Sequence, residues 1–265
     1  MKKLIFSLLA ITVLFTSCDG WGIFDGSNGI TGKGAIERTT RDVKDFKSID
    51  LATSANVFIK QGATFKVEVE THKNIADVFE TIVENGVLTL KTKKGVWNMR
   101  YDKLNVYIEM PAVEGIDISG SGDIKAETAL SGDNMNIIVS GSGNILIEQG
   151  LTAKTVKIRI SGSGDVKADG ISTSDLSAKI SGSGGLDLSG TADKADYLVS
   201  GSGDITAKSV KSRAVQAHVS GSGNIDCHAD QSVDAQSSGS GNITYSGNAT
   251  VVKAHASGSG NVSKE

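Results

Sequence analysis

The chain has 265 residues, of which 32 are Gly, one is Pro and 5% are aromatic. Those proportions exclude collagen, which needs Gly at every third position and far more Pro, and they argue against a helical bundle, where Gly is costly. The 38% of hydrophobic residues can supply a core, and a formal charge of −3 offers no basic field, so no nucleic-acid partner is expected.

The N-terminus reads as an export signal. Met1-Lys2-Lys3 is a basic start, and Leu4 to Phe15 is an apolar run too short to span a bilayer. It ends Phe15-Thr16-Ser17-Cys18, small residues just ahead of a cysteine, which resembles the lipobox of bacterial lipoproteins. The resemblance implies cleavage after residue 17 and acylation of Cys18, hence a palmitate-type lipid anchor and a membrane partner. Residues 1–17 are then a signal peptide and 18–33 a Gly-rich tether. A cell-envelope address is expected, with the outer membrane favoured. The second cysteine, Cys227, leaves no pair for an intramolecular disulfide.

Residues 34–114 alternate apolar and polar positions without a repeat, as in Phe46 to Leu51, Ala55 to Lys60, Thr64 to Glu70 and Lys103 to Met110. Asn85-Gly86 between two alternating runs is a type I′ hairpin signal. Only Asn74 to Phe79 reads as a helical turn. This region is expected to cap the N-terminal end of the remaining chain, residues 115–265, and to share its core.

Residues 115–265 are a repeat. Ser-Gly-Ser-Gly begins at Ser119, Ser140, Ser161, Ser181, Ser200, Ser220, Ser238 and Ser257. Each motif is followed by Asp, Asn or Gly and then an aliphatic residue, from Asp123-Ile124 to Asn261-Val262. Met135, Ile137, Val139, Gly141, Gly143, Ile145 and Ile147 keep one parity through the motif, the pattern of half-buried strands. The two glycines are therefore expected to face inward at a tight turn, with the serines outward. The prediction is an all-β fold: a parallel β-helix, or solenoid, of about eight coils of ~20 residues with a β-rich N-terminal capping region. At ~4.8 Å per coil the repeats make a rod of roughly 40 Å, right-handed by the crossover rule. If the coils are in register, the residues after each motif form a column in which no two Asp are adjacent, and this argues for a mixed amide and carboxylate ladder rather than a calcium site.

The lipobox, the run Phe46-Lys47-Ser48-Ile49-Asp50-Leu51 to Gly62 and the reiterated Ser-Gly-Ser-Gly-[Asp/Asn]-Ile motif together resemble the family described as putative auto-transporter adhesin, head GIN domain. The resemblance covers about residues 34 to 265. It implies a β-helical fold and an exported, surface-type location, and it carries over no catalytic residue.

Little in the chain points to catalysis or metal binding. His218 and His255 share an outward position two coils apart, too far for one metal, and His72 and His228 have no evident partner, so no metal or cofactor is expected. Cys227 falls at an inward position and reads as a small core residue. The solenoid acids, among them Asp117, Asp165, Asp175, Asp187, Asp204 and Asp226, are scattered rather than convergent, so the chain is not expected to be an enzyme. Two surfaces are candidates for binding a glycan or protein ligand. One is the Ser140, Ser142, Asn144 edge with its column mates, whose side chains are equally suited to satisfying the corner backbone. The other is the loop bearing Trp97, Arg100 and Tyr101, residue types enriched at binding hot spots. The inward positions Ala235, Ser237, Ala254 and Ala256 are small, so the C-terminal coils are expected either to fray or to pair with another subunit as a homo-oligomer. The sequence reads as a non-catalytic, adhesin-like envelope lipoprotein. The alternatives are a structural envelope protein without a discrete ligand and a β-helix carbohydrate-active enzyme, a polysaccharide lyase or glycosidase.

Overall fold

A computed structural model describes residues 29–265. The expected signal peptide at 1–17, the acylation site Cys18 and most of the tether lie outside the described residues. Among the described residues no helix is long and apolar enough to cross a membrane.

The solenoid is present, with coils stacked in parallel and in register. Each full coil has three faces. The first carries strands such as Gly115–Ile118 and the second carries Ile124–Ala126 and Ile145–Ile147. The third begins at Leu130 and Leu151 and runs on into the first face of the next coil, giving continuous strands such as Leu130–Val139 and Leu151–Ile160. Inward columns are aliphatic: Leu51, Ile118, Val139, Ile160, Ile180, Val199 and Val219 pair in sequence on the first face. All are buried, and each such side chain removed from water contributes roughly 1.5–3 kcal/mol. Tyr197 fits the same interior because its register neighbours, Ala178 and Ala217, are small.

The Ser-Gly-Ser-Gly corner works differently from the inward-facing turn that alternation predicts. In the first seven motifs the second glycine is buried but the first is half-exposed, and in the terminal coil Gly258 is exposed and Gly260 half-exposed. What both lack is axial room. A Cβ on Gly141 would overlap the Gly120 carbonyl oxygen of the preceding coil and lie 2.8 Å from its carbonyl carbon, and one on Gly143 would meet Gly122 in the same way. The cause is a backbone ladder that continues into the corner: Ser142 N–H donates to the Gly120 carbonyl and Ser163 N–H to that of Gly141, both at 3.1 Å. Neither glycine has positive φ. Proximity of the stacked backbone, not a left-handed turn, excludes the side chain.

The N-terminal region is itself solenoidal, and its spatial order differs from its chain order. Strand Gly115–Ile118 stacks on Ser48–Leu51, which stacks on Val87–Thr92. Strand Ile124–Ala126 stacks on Asn56–Gln61, which stacks on Asn105–Met110. Ala52-Thr53-Ser54-Ala55 therefore occupies the corner that Ser119 to Gly122 fills in the next coil. Side chains are tolerated there because the coil beneath leaves the stack between Leu90 and Asn105, so no tight corner lies below. The end is closed by antiparallel pairing of Ile36–Arg41 with Lys66–His72, of Lys66–His72 with Asn105–Met110, and of Phe79–Glu84 with Val87–Thr92. Asn85 and Gly86 make the expected hairpin with φ of 52° and 77°, and the short helix is Lys73–Ala76. One hydrophobic core runs from Phe46 to Tyr245.

The expected tether gives way to paired structure before residue 33. Gly29–Thr31 is a strand paired in parallel with Asn98–Arg100, and Gly32 N–H donates to the Arg100 carbonyl at 2.7 Å. Gly32 serves close approach rather than flexibility: it lies against the His72 ring with no room for a Cβ. At the other end, strand Val251–Ala256 is paired in register with residues 232–237 rather than frayed, and is exposed along its whole length.

Gly162→Ala is predicted to cost about 3 kcal/mol or more, because its Cβ must displace backbone of the preceding coil. Gly132→Ala, whose nearest atom would be the Val113 carbonyl oxygen at 3.6 Å, should change stability by no more than about 0.5 kcal/mol. Urea midpoints of the two variants check the contrast.

Candidate functional site

The column after the motif forms the ladder its composition predicts. Asp123 Oδ1 accepts from the backbone N–H and the side-chain amide of Asn144, at 2.8 and 2.9 Å. Asn144 Oδ1 accepts from Asp165 N–H at 3.0 Å, and Asp165 Oδ1 from Gly185 N–H at 2.6 Å. After Gly185, which has no side chain to pass the ladder on, it resumes with Asn224 donating twice to Asp204, then Asn242 to Asn224 and Asn261 to Asn242. Asn144 thus spends its amide on its neighbours. Ser140 and Ser142 remain exposed beside it.

The loop residues are separated rather than gathered. Trp97 is 84% exposed. Tyr101 folds onto the rod: its hydroxyl lies 2.7 Å from Ser54 Oγ and donates to the Ser54 carbonyl at 3.2 Å, and its ring packs against the core. Arg100 is exposed at the end of the strand paired with Gly29–Thr31.

An aromatic stack that the sequence does not flag lies near the N-terminal cap. Phe58 and Tyr107 are in register on neighbouring strands with ring centroids 5.2 Å apart, and the Arg38 guanidinium sits 3.9 Å from the Tyr107 centroid. The Tyr107 hydroxyl donates to Glu70 at 2.9 Å and holds that carboxyl below its usual range. Burial opposes this, and Lys103 and Arg38 add to it. With cation, ring and ring already stacked, this cluster is largely self-satisfied.

A concavity on the solenoid wall is also not legible in the sequence. It is a groove of about 650 Å³ on the outer wall where the third face bends into the first. Inward parity switches there, from Ala153 to Val156 in one coil and from Ala192 to Ala195 in another. The outward residues on either side of the bend become two banks. One bank stacks Thr155, Asp175, Lys194, Ala214, Ser232 and Val251; the other stacks Lys157, Ser177, Asp196, Gln216, Asp234 and Lys253. Leu176, Ala195, Val215 and Val233 close the floor. Six coils make a groove of roughly 24 Å along the rod axis.

Of the histidines, His218 and His255 share a column with Gln236 between them. His72 is not partnerless: it is buried, with Nδ1 2.9 Å from the Gly34 carbonyl and Nε2 3.2 Å from Asp102. His228 meets Ser246 and Asp230. Among the described residues no group of three or more His, Cys, Asp or Glu is placed to hold a metal. Cys227 is buried in the core, which pushes its thiol up to about 12, with the Asp226 carboxylate adding.

The interruption at Gly185 is testable. Gly185→Asn restores an acceptor for Asp204 N–H and a donor to Asp165, and is predicted to raise stability by about 1 kcal/mol beyond Gly185→Ala, which makes the same backbone change and brings the same Cβ to 3.2 Å from Asp165 Oδ1 without the amide. Equal urea midpoints for the two variants would mean the ladder contributes nothing.

The family described as putative auto-transporter adhesin, head GIN domain, matches residues 45–170 and 136–249, and the chain belongs to it. A solved structure of a putative lipid binding protein from Parabacteroides distasonis is 27% identical, covers 89% of this chain and 99% of its own, and superposes with a TM-score of 0.85. A putative adhesin from Bacteroides fragilis is also 27% identical, with 89% and 100% covered and a TM-score of 0.68. A putative adhesin from Parabacteroides merdae, 24% identical over 89% and 99% with a TM-score of 0.85, shares the fold. No curated protein matches.

Proposed function

We propose that this member of the head GIN domain family is a non-catalytic binding module of the cell envelope, held at the outer membrane through acylated Cys18 and engaging a glycan or protein ligand along its rod. The carrying observation is the groove: an open concavity crossing six coils, within the size range of ligand sites. Names borne by relatives support the class, being putative adhesins and one putative lipid binding protein. Its acids do not favour an enzyme. Asp196 and Asp234 stand two coils apart with Gln216 between them, and Asp196 is already paired with Lys179 at 2.9 Å. Trp97, 84% exposed, is a second contact that a protein ligand would use.

The test incubates the chain with glycans and extracellular-matrix proteins, and scores both binding and cleavage. Saturable binding without new chain ends is expected, reduced by Lys194→Ala/Asp196→Ala if the groove engages the ligand and by Trp97→Ala if the loop does. In cells, Cys18→Ser should release the protein from the membrane fraction. Cleavage of a glycan would make the chain an enzyme. Failure to bind any ligand would favour a structural role.

A further inference from the structure

The groove also specifies a ligand chemistry, and this step rests on the binding-module reading above. We propose that it seats a neutral, linear glycan lying parallel to the rod axis.

Three features narrow the choice. The first is charge. The banks carry Lys157, Lys194 and Lys253 against Asp175, Asp196 and Asp234, so they sum to zero. Both signs recur along the groove, so a polyanion or polycation would meet like charge within its length and gain no long-range steering.

The second is hydrogen bonding. The strands that form the groove wall are paired coil to coil along its length. A peptide therefore finds a free strand edge only at the last coil, Val251–Ala256, and none along the rest of the groove. Hydrogen bonding is left to side chains: Ser177, Gln216 and Ser232 stand among the charged residues, and the polar bank continues through His218 and Gln236. An acyl chain laid across these groups would strip them of water and return no hydrogen bonds.

The third is the apolar component. Val215 and Val233 close the floor but are themselves buried, so the accessible apolar surface lies on one bank, at half-buried Ala214 and exposed Val251. The stems of the three lysines add apolar surface. A sugar chain presents this combination, with C–H faces for the apolar patches and lysine stems and hydroxyl edges for the polar groups of the banks, and a linear one matches a groove that is long rather than deep.

The test measures binding of the full chain to unbranched neutral glucan oligosaccharides of increasing length, with heparin and phosphatidylcholine vesicles as the anionic and lipid probes. Affinity for the neutral oligosaccharide is expected to rise with length until the groove is spanned, and to change little with salt. Ala214→Trp, which fills the groove at mid-length, should abolish that binding. Gln216→Ala/Asp234→Ala, surface changes expected to leave the fold intact, should weaken it about tenfold, so that a folding failure of the tryptophan variant leaves the question decidable. Preference for heparin or for vesicles would overturn the glycan assignment, as would neutral-glycan binding that survives both variants. A ligand lost only with Trp97→Ala would remove the groove but leave the binding module standing. Absence of any ligand would remove both.

Discussion

One contact spacing governs this protein: the distance between stacked backbones at the Ser-Gly-Ser-Gly corner. A corner that bulged outward could relax and hold side chains. From Ser142 to Ser240 the serine N–H of each coil reaches the glycine carbonyl of the coil before it, so the backbone ladder of the first face continues into the corner, where the Asp and Asn side chains then take over as acceptors. The cost is that no Cβ fits at either glycine. The eight repeats of the motif are eight copies of that constraint, and the one departure from it reveals its cause. Thr53 and Ala55 hold the same corner one coil earlier, where the coil beneath departs at Leu90 and returns at Asn105.

With the corner fixed, stacking generates the remaining features. Inside, aliphatic residues on both sides of the corner fall into buried columns. Outside, the residue after the motif bonds to its column mates, and a mix of carboxylates and amides lets each side chain except at Gly185 accept from the next coil. Adjacent Asp residues would repel at this spacing, and none occur. The groove is a further consequence of repetition: one bend in parity, repeated coil after coil, turns a local kink into a channel along the rod.

How much of this the sequence discloses depends on how local the cause is. Period, parity and the Asn85-Gly86 turn are written within a few residues, and the column order of Asp123, Asn144 and Asp165 needs only the assumption of register. The corner at Ala52 to Ala55 is not legible, because what identifies it is pairing with residues almost 70 positions away. Tyr101 likewise finds Ser54 at a separation of 47 residues, and so leaves Trp97 alone on the surface. The Phe58 and Tyr107 stack and the banks of the groove arise in the same way: no short window of sequence says that Lys194 and Asp234 line one concavity. The axial role of the glycines is also hidden, since alternation reports which side a residue faces and not how near the next coil lies.

Such a rod suits a module that presents an extended surface from an envelope. Between its ends the backbone is paired within the stack, the N-terminal end is capped, and what faces outward is side-chain chemistry repeated at the coil spacing. Native-state hydrogen exchange at the corner amides of Ser142, Ser163, Ser183 and Ser202 tests the corner ladder, since each is bonded to a glycine carbonyl of the preceding coil. Protection equal to that of the flanking strand amides such as Ile145 and Val166 is expected. Rapid exchange at these serines beside protected strands would mean that the corners are open loops and that the glycines are there for another reason.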